Sequence, residues 1–145
     1  MMAVNVTGSI LCAREAVKRM STKHGGKGGV IVNVSSVAAV LGGANQWLPY
    51  AAAKGAVLSM TMGVAREFVT QGIRALSISP GPIRTPFQDA AATSPEQYQK
   101  FLDDIPMGRF GEPEEIGELV LFMCSDACEY MTANTVYVNG GGGFR

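Results

Sequence analysis

The run "VIVNV" at residues 30–34 constrains the fold of this chain more than any other feature. Consecutive β-branched side chains suit a strand covered on both faces, the habit of a parallel sheet. Two further runs read the same way: "IRALSIS" at 73–79, stopped by "PGP", and "TVYVN" at 135–139. Helical patterns alternate with these runs, and no hairpin turn joins any two of them. The sequence therefore predicts an α/β fold with three parallel strands, near 29–35, 73–79 and 135–139, in that spatial order. Right-handed crossovers then put the first two helices on one face and the helix at 113–126 on the other.

The helices follow from apolar spacing. Ile10, Ala13, Val17 and Met20 predict a helix over 5–21 that ends near "KHGGKGG". A second helix starts near Tyr50. One of its stripes is Val57, Met60, Val64 and Phe68, and another is Leu58, Met62, Ala65 and Val69, so it is expected to be covered on both sides. In "SPEQYQKFLDD", Ser94 can cap a short helix, with Pro95 at its first position and Gln97 completing a capping box. "PEEIGELVLFMCSD" reads as a last helix, with Pro113 at its start and Glu114 and Glu115 where the helix dipole favours anions. A length of 145 residues suits one domain, and no repeat or linker divides it.

Composition removes several classes of function. Twelve basic residues balance twelve acidic ones without a basic stripe, which argues against nucleic acid or an anionic membrane as partner. Cys12, Cys124 and Cys128 read as free thiols in a reducing compartment, and the single histidine, His24, sits in a Gly-rich turn, so no metal site is expected. Residues 28–53 carry no charge, but Asn33, Ser35, Ser36, Asn45 and Gln46 interrupt the stretch and Pro49 breaks it, which rules out a membrane span. Nothing near Met1 resembles a signal peptide, and a cytoplasmic location is the expectation.

Against this uncharged background one pair stands out. From Leu48 to Ala65, Lys54 is the only ionisable side chain besides Tyr50. Four-residue spacing on a helix puts the two on one face. A phenol titrates at roughly 10 when unperturbed. A cation held nearby favours its charged form, which suits proton exchange near neutral pH.

"YAAAK" matches the Tyr-x-x-x-Lys motif of the short-chain dehydrogenase/reductase family. "VNVTG", "GGVIVNVSS", "SPGPIRTPF", "GRFGEPEEIGELVLFMCSD" and "TVYVNGG" resemble other segments of that family, in the same order, over nearly the whole chain. The resemblance implies the C-terminal half of a Rossmann-like doubly wound sheet. It implies hydride transfer between NAD or NADP and a small alcohol or carbonyl substrate. It also implies roles: Tyr50 as proton donor or acceptor and as a cofactor contact, Lys54 as its electrostatic tuner and a holder of the ribose hydroxyls, and Ser36 as holder of the substrate oxygen. Asn5 would complete a proton relay through water. Pro80, Gly81, Ile83 and Thr85 would hold the nicotinamide end, and residues 86–106 would form a variable flap. Each motif also has a plainer reading. Ser35 and Ser36 could end a strand and cap a turn, Asn5 could cap a helix, "PGP" could be a chain break, and Tyr50–Lys54 an amphipathic pair.

A nicotinamide enzyme also needs a strand, a Gly-rich turn and a helix N-terminus to cradle phosphate. These 145 residues contain none: Gly25, Gly26, Gly28 and Gly29 precede a strand, and Gly140 to Gly143 follow one without a helix after them. Residues 1–145 thus read as one partial domain lacking the family's N-terminal Gly-rich βαβ part. Expected behaviour is weak or absent cofactor binding and no useful turnover by this chain alone; the alternatives are a non-catalytic remnant serving as an interaction or structural module, and a split enzyme completed by another polypeptide. A homo-oligomer through helices 5–21 and 50–70 is expected, as that is where the family often pairs. Ala133 stands where the family usually has glycine.

Overall fold

Three strands, β1 (Gly29–Val34), β2 (Ile73–Pro80) and β3 (Thr135–Val138), form one parallel sheet in the order β1-β2-β3. The computed structural model describes residues 1–45, 47–86 and 94–143. Gly29 pairs with Ile73 and Val34 with Ile78 on one side of β2, and Ser77 with Thr135 and Pro80 with Val138 on the other. The order, direction and places of all three strands are those expected from their β-branched runs. Burial differs. "VIVNV" was expected to be covered on both faces, but it is half-buried with Val34 52% exposed, whereas Ile73, Ala75, Leu76 and Ile78 of β2 are fully buried. The reason is position. Among the described residues no strand pairs with the outer rim of β1, so β2 alone is flanked on both sides.

The first helical segment opens with a π-helical turn, Ala3–Gly8, which the apolar spacing does not announce, and continues as α1 (Ser9–Met20). After β1 come the single turn α2 (Ala38–Leu41) and the long α3 (Leu48–Phe68). After β2 come α4 (Pro95–Asp103) and α5 (Pro113–Cys124). Of the flap expected at 86–106, residues 87–93 lie outside the described residues. On one face of the sheet, the Asn33 amide donates to the Thr61 hydroxyl of α3 at 2.9 Å. The Arg74 guanidinium donates to the carbonyls of Met123 and Ser125 at the end of α5. Asn33 is level with Ser77, three residues from Arg74 on β2, and side chains alternate along a strand, so α3 and α5 cover opposite faces as the crossover rule requires. α1 packs beside α3.

On α3 the core-facing line is not either of the expected stripes. It is Ala53, Val57, Thr61 and Ala65, at four-residue spacing, and all four are buried. A polar residue in the middle hides this line from a hydrophobicity pattern. Thr61 is tolerated there because its hydroxyl donates to the Val57 carbonyl at 2.8 Å and accepts from Asn33. Val69 and Met62 stay exposed, while Met60, Val64 and Phe68 line a groove between α1 and α3.

The serine cap of α4 and the proline starts of α4 and α5 follow the expected chemistry. The Ser94 hydroxyl accepts the Gln97 N–H, and Pro113 opens α5. The Glu115 carboxylate accepts the Glu112 N–H at 2.8 Å and both Arg109 amino groups at 2.8 and 2.7 Å. That Arg109 guanidinium, seconded by the backbone N–H, holds the Glu115 carboxyl down to about 2. No helix among the described residues is long and apolar enough to cross a membrane, and no cluster of metal-ligating side chains occurs among them.

Candidate functional site

A cleft of about 260 Å³ is lined by the ends of β1 and β2 and the start of α3, with α4 supplying Phe101. Parallel sheets place their ligand crevices beyond the carboxyl ends of the strands, and this cleft obeys that rule. β1 ends at Val34, and Ser35 and Ser36 follow it directly. The two serines divide their work. The Ser35 hydroxyl is buried and donates to the Lys54 carbonyl at 2.8 Å, tying α3 to the end of β1. The Ser36 hydroxyl accepts the Ala38 N–H at 3.2 Å as α2 begins, which leaves its own proton available toward the cleft.

Pro49 at the start of α3 fixes the helix entry, and Tyr50 and Lys54 project one turn apart. Both line the cleft. The Lys54 ammonium stands 5.7 Å from the centre of the Tyr50 ring and donates to the Val34 carbonyl at 3.0 Å. Partial burial of Lys54 lowers its pKa from the ordinary lysine value. An ammonium carries three N–H donors, so two remain beyond the bond to Val34.

From the other side come Pro80, Gly81, Ile83 and Thr85, all in the cleft lining. Gly81 is set by packing as well as by any ligand: a Cβ there would stand 2.8 Å from the Cα of Asn139, so only glycine lets the ends of β2 and β3 approach. The segment is pinned by the pairing of Ile83 with Gly111 and by an Arg84–Glu112 ion pair at 2.9 Å.

Asn5 is the one expected site residue that does not reach the cleft. Its side-chain amide donates to the Met1 carbonyl at 3.2 Å, and its carbonyl accepts the Ser9 hydroxyl at 2.9 Å. The π-helical turn that carries it nevertheless packs against α3. Phe101 lies within the flap expected at 86–106 and lines the cleft, whereas Trp47 is an aromatic lining residue that the sequence reading does not single out. Trp47 could have been found from its place three residues before Tyr50, where the rings meet edge-on with centroids 6.4 Å apart. Phe101 carries no local signal, because it comes to the cleft only through the tertiary placement of α4.

A family model described as "Enoyl-(Acyl carrier protein) reductase" matches residues 1–142. The chain belongs to the short-chain dehydrogenase/reductase family. Within this family it is 43% identical over 140 residues to the uncharacterized oxidoreductase YgfF of Escherichia coli (strain K12), covering 97% of this chain and 56% of that protein. The solved structure of the TT0495 protein from Thermus thermophilus superposes with a TM-score of 0.87 at 32% identity, covering 97% of this chain and 58% of that one. A 4-hydroxyisoleucine dehydrogenase complexed with NADH superposes with a TM-score of 0.86 at 29% identity, covering 99% and 57%. The chain thus spans about half the length of the family members it matches.

Proposed function

We propose that this chain is the catalytic, nicotinamide-facing part of an NAD- or NADP-dependent oxidoreductase that interconverts a small alcohol and its carbonyl compound. The observation that carries the reading is the convergence of Ser36, Tyr50, Lys54 and the Pro80–Thr85 segment on one cleft. When bound, the nicotinamide supplies or takes the hydride. In the reducing direction the Tyr50 hydroxyl gives its proton to the substrate oxygen, and in the oxidising direction the Tyr50 phenolate takes the proton from the substrate hydroxyl. Ser36 donates a hydrogen bond to the same oxygen and holds it beside Tyr50. Lys54, anchored on Val34, offers its remaining N–H groups to ribose hydroxyls. Pro80, Gly81, Ile83 and Thr85 form the wall against which the nicotinamide end would rest. Asn5 would act at one remove, through water, from the turn packed on α3.

The described residues fit only that end of the cofactor. No Gly-rich turn among them joins a strand to a helix N-terminus, so the pyrophosphate and adenosine have no cradle here. Positioning provides much of the barrier reduction, and remote binding energy provides the positioning. This chain alone should therefore bind the cofactor no better than millimolar, on the order of −4 kcal/mol, and turn over negligibly. Saturation-transfer NMR with NADH and NADPH tests both halves of the reading. Transfer to the nicotinamide protons should exceed transfer to the adenine protons, and Lys54→Ala should reduce it. Stronger transfer to adenine would overturn the site assignment, and micromolar affinity would overturn the missing cradle. An in-frame glycine-rich segment of the form "TGxxxGxG" in the coding sequence upstream of Met1 would make the longer product the active molecule.

A second reading, compatible with the first, is a homo-oligomer through the segments 5–21 and 50–70. It is favoured by the groove of about 340 Å³ between α1 and α3, lined by Ile10, Val17, Met60, Val64 and Phe68. Light scattering at micromolar concentration tests it, and a sharp monomer peak would contradict it. The cytoplasm is the compartment proposed for such a protein.

A further inference from the structure

The chemistry of the cleft wall bears on what the substrate carries besides its reacting oxygen. Among the described lining residues, ionisable groups are confined to Tyr50 and Lys54, and no carboxylate, carboxamide or imidazole is present. The hydroxyls have tasks already: Ser35 is committed to the Lys54 carbonyl, Thr85 donates to the Ile83 carbonyl at 3.4 Å, and Ser36 and Tyr50 face the reacting oxygen. The rest of the wall is apolar and includes two aromatic rings, Trp47 and Phe101. A substrate rich in hydroxyl groups would lose hydrogen bonds to water there without replacing them. A flat or cyclic apolar group would bury its surface and stack.

The two rings are built into the wall rather than laid on it. Trp47 is braced edge-on against Tyr50. Phe101 lies three residues after Tyr98 on α4, on the same side of the helix. Tyr98 meets Phe110 edge-on, centroids 4.8 Å apart, and Phe110 is almost wholly buried. Ile105, just past α4, is buried as well. These anchors fix the helix and so deliver Phe101 to the cleft.

Resting on the reading that Ser36, Tyr50 and Lys54 are its reacting end, we infer that the cleft takes a secondary alcohol or ketone bearing an aryl or cyclic alkyl substituent, selected by Trp47 and Phe101. Among the described lining residues only Ser36, Tyr50 and Lys54 offer side-chain partners to the hydroxyls of a polyol or sugar, which ranks these substrates below aryl and cyclic ones. Trp47 is the only tryptophan in the chain, so intrinsic fluorescence excited at the red edge of its absorption reads this cleft directly. Titration of the full chain with 1-phenylethanol should give a saturable change, whereas glucose and ribitol should give none at equal concentration. Phe101→Ala should weaken 1-phenylethanol at least tenfold, and Phe101→Leu, which keeps an apolar side chain, should stay within about threefold of the parent. Circular dichroism checks that both variants fold, and if Phe101→Ala does not, the comparison of alcohols in the parent decides alone. A response to glucose or ribitol at lower concentration than to 1-phenylethanol, a non-saturable response to 1-phenylethanol, or a folded Phe101→Ala with parental affinity would each overturn the inference. The reading beneath it fails separately, in the NADH saturation-transfer experiment, which involves no alcohol.

Discussion

Arg74→Met tests how the sheet holds its last strand. Arg74 lies on the central strand, half-buried, and its guanidinium donates to three carbonyls: Met131 at 3.0 Å, and Met123 and Ser125 at 3.3 Å each. Two of these belong to the end of α5, where the unsatisfied carbonyls and the helix dipole both favour a cation. The third lies in the connection that leads to β3. Methionine keeps much of the apolar stem and removes the donors together with the charge. A hydrogen bond from a charged donor contributes about 1.5–3 kcal/mol net. One contact here is short, two are long, and water can reach part of the vacated ground. The expected loss is about 3 kcal/mol, and for a domain of this size that lowers Tm by about 10 °C. Arg74→Lys keeps one point donor and should recover about a third of the loss. Urea denaturation followed by far-UV circular dichroism measures both variants. A midpoint for Arg74→Met that corresponds to less than about 0.5 kcal/mol of change would refute the reasoning, since surface substitutions of no consequence fall in that range.

Three further outcomes follow from local geometry. Ala133 has φ +60°, a left-handed conformation that costs a residue with a Cβ about 1–2 kcal/mol, so Ala133→Gly should raise stability by about 0.5–1 kcal/mol despite the freer unfolded chain; unchanged melting would contradict this. Lys54 has a lowered pKa in the fold, so the cost of its partly buried charge is present at neutral pH and relieved as pH rises toward 10.5. Lys54→Met should therefore melt above the parent at pH 7, with the gap closing toward pH 10.5, and a gap independent of pH would count against it. Glu115, held at about 2 by Arg109, contributes stability above pH 4.5 that is lost as pH falls toward 2. The difference in urea midpoint between the parent and Glu115→Gln should be present at pH 6 and vanish near pH 2, and a difference that persists at pH 2 would contradict the ion pair.

What could be read beforehand depended on how local the signal was. The strands were legible because "VIVNV" and "IRALSIS" announce themselves through side-chain type alone, and Ser94 and Pro113 mark their helices through capping chemistry. The Tyr50–Lys54 pair was legible because helical spacing is arithmetic. The core line of α3 was not, since Thr61 interrupts it and finds its partner, Asn33, 28 residues away. The role of Arg74 was hidden for the same reason, its partners lying about fifty residues downstream. The resemblance singles out Ser36 as the second of the Ser-Ser pair, and the bond of Ser35 to the Lys54 carbonyl, which no local pattern announces, makes Ser35 the strut. The motif offers Asn5 to a relay through water, and its side-chain amide donates locally to the Met1 carbonyl.

The parallel sheet also governs how the chain gets to its native state. Its ladders join residues far apart in sequence, Ser77 and Thr135 being separated by 58 positions. Closing such loops costs entropy before any pairing rewards it, so assembly of the sheet is slow compared with formation of α1 or α3. During that interval the rim of β1 is unprotected. It is uncharged and β-branched, and it lacks the lysine or proline with which edge strands usually discourage association between copies. Yield of the recombinant chain should consequently fall with the concentration at which it is refolded, faster than its native stability would suggest. A charge placed at Val34, the most exposed position of that strand, should restore yield while leaving the urea midpoint nearly unchanged.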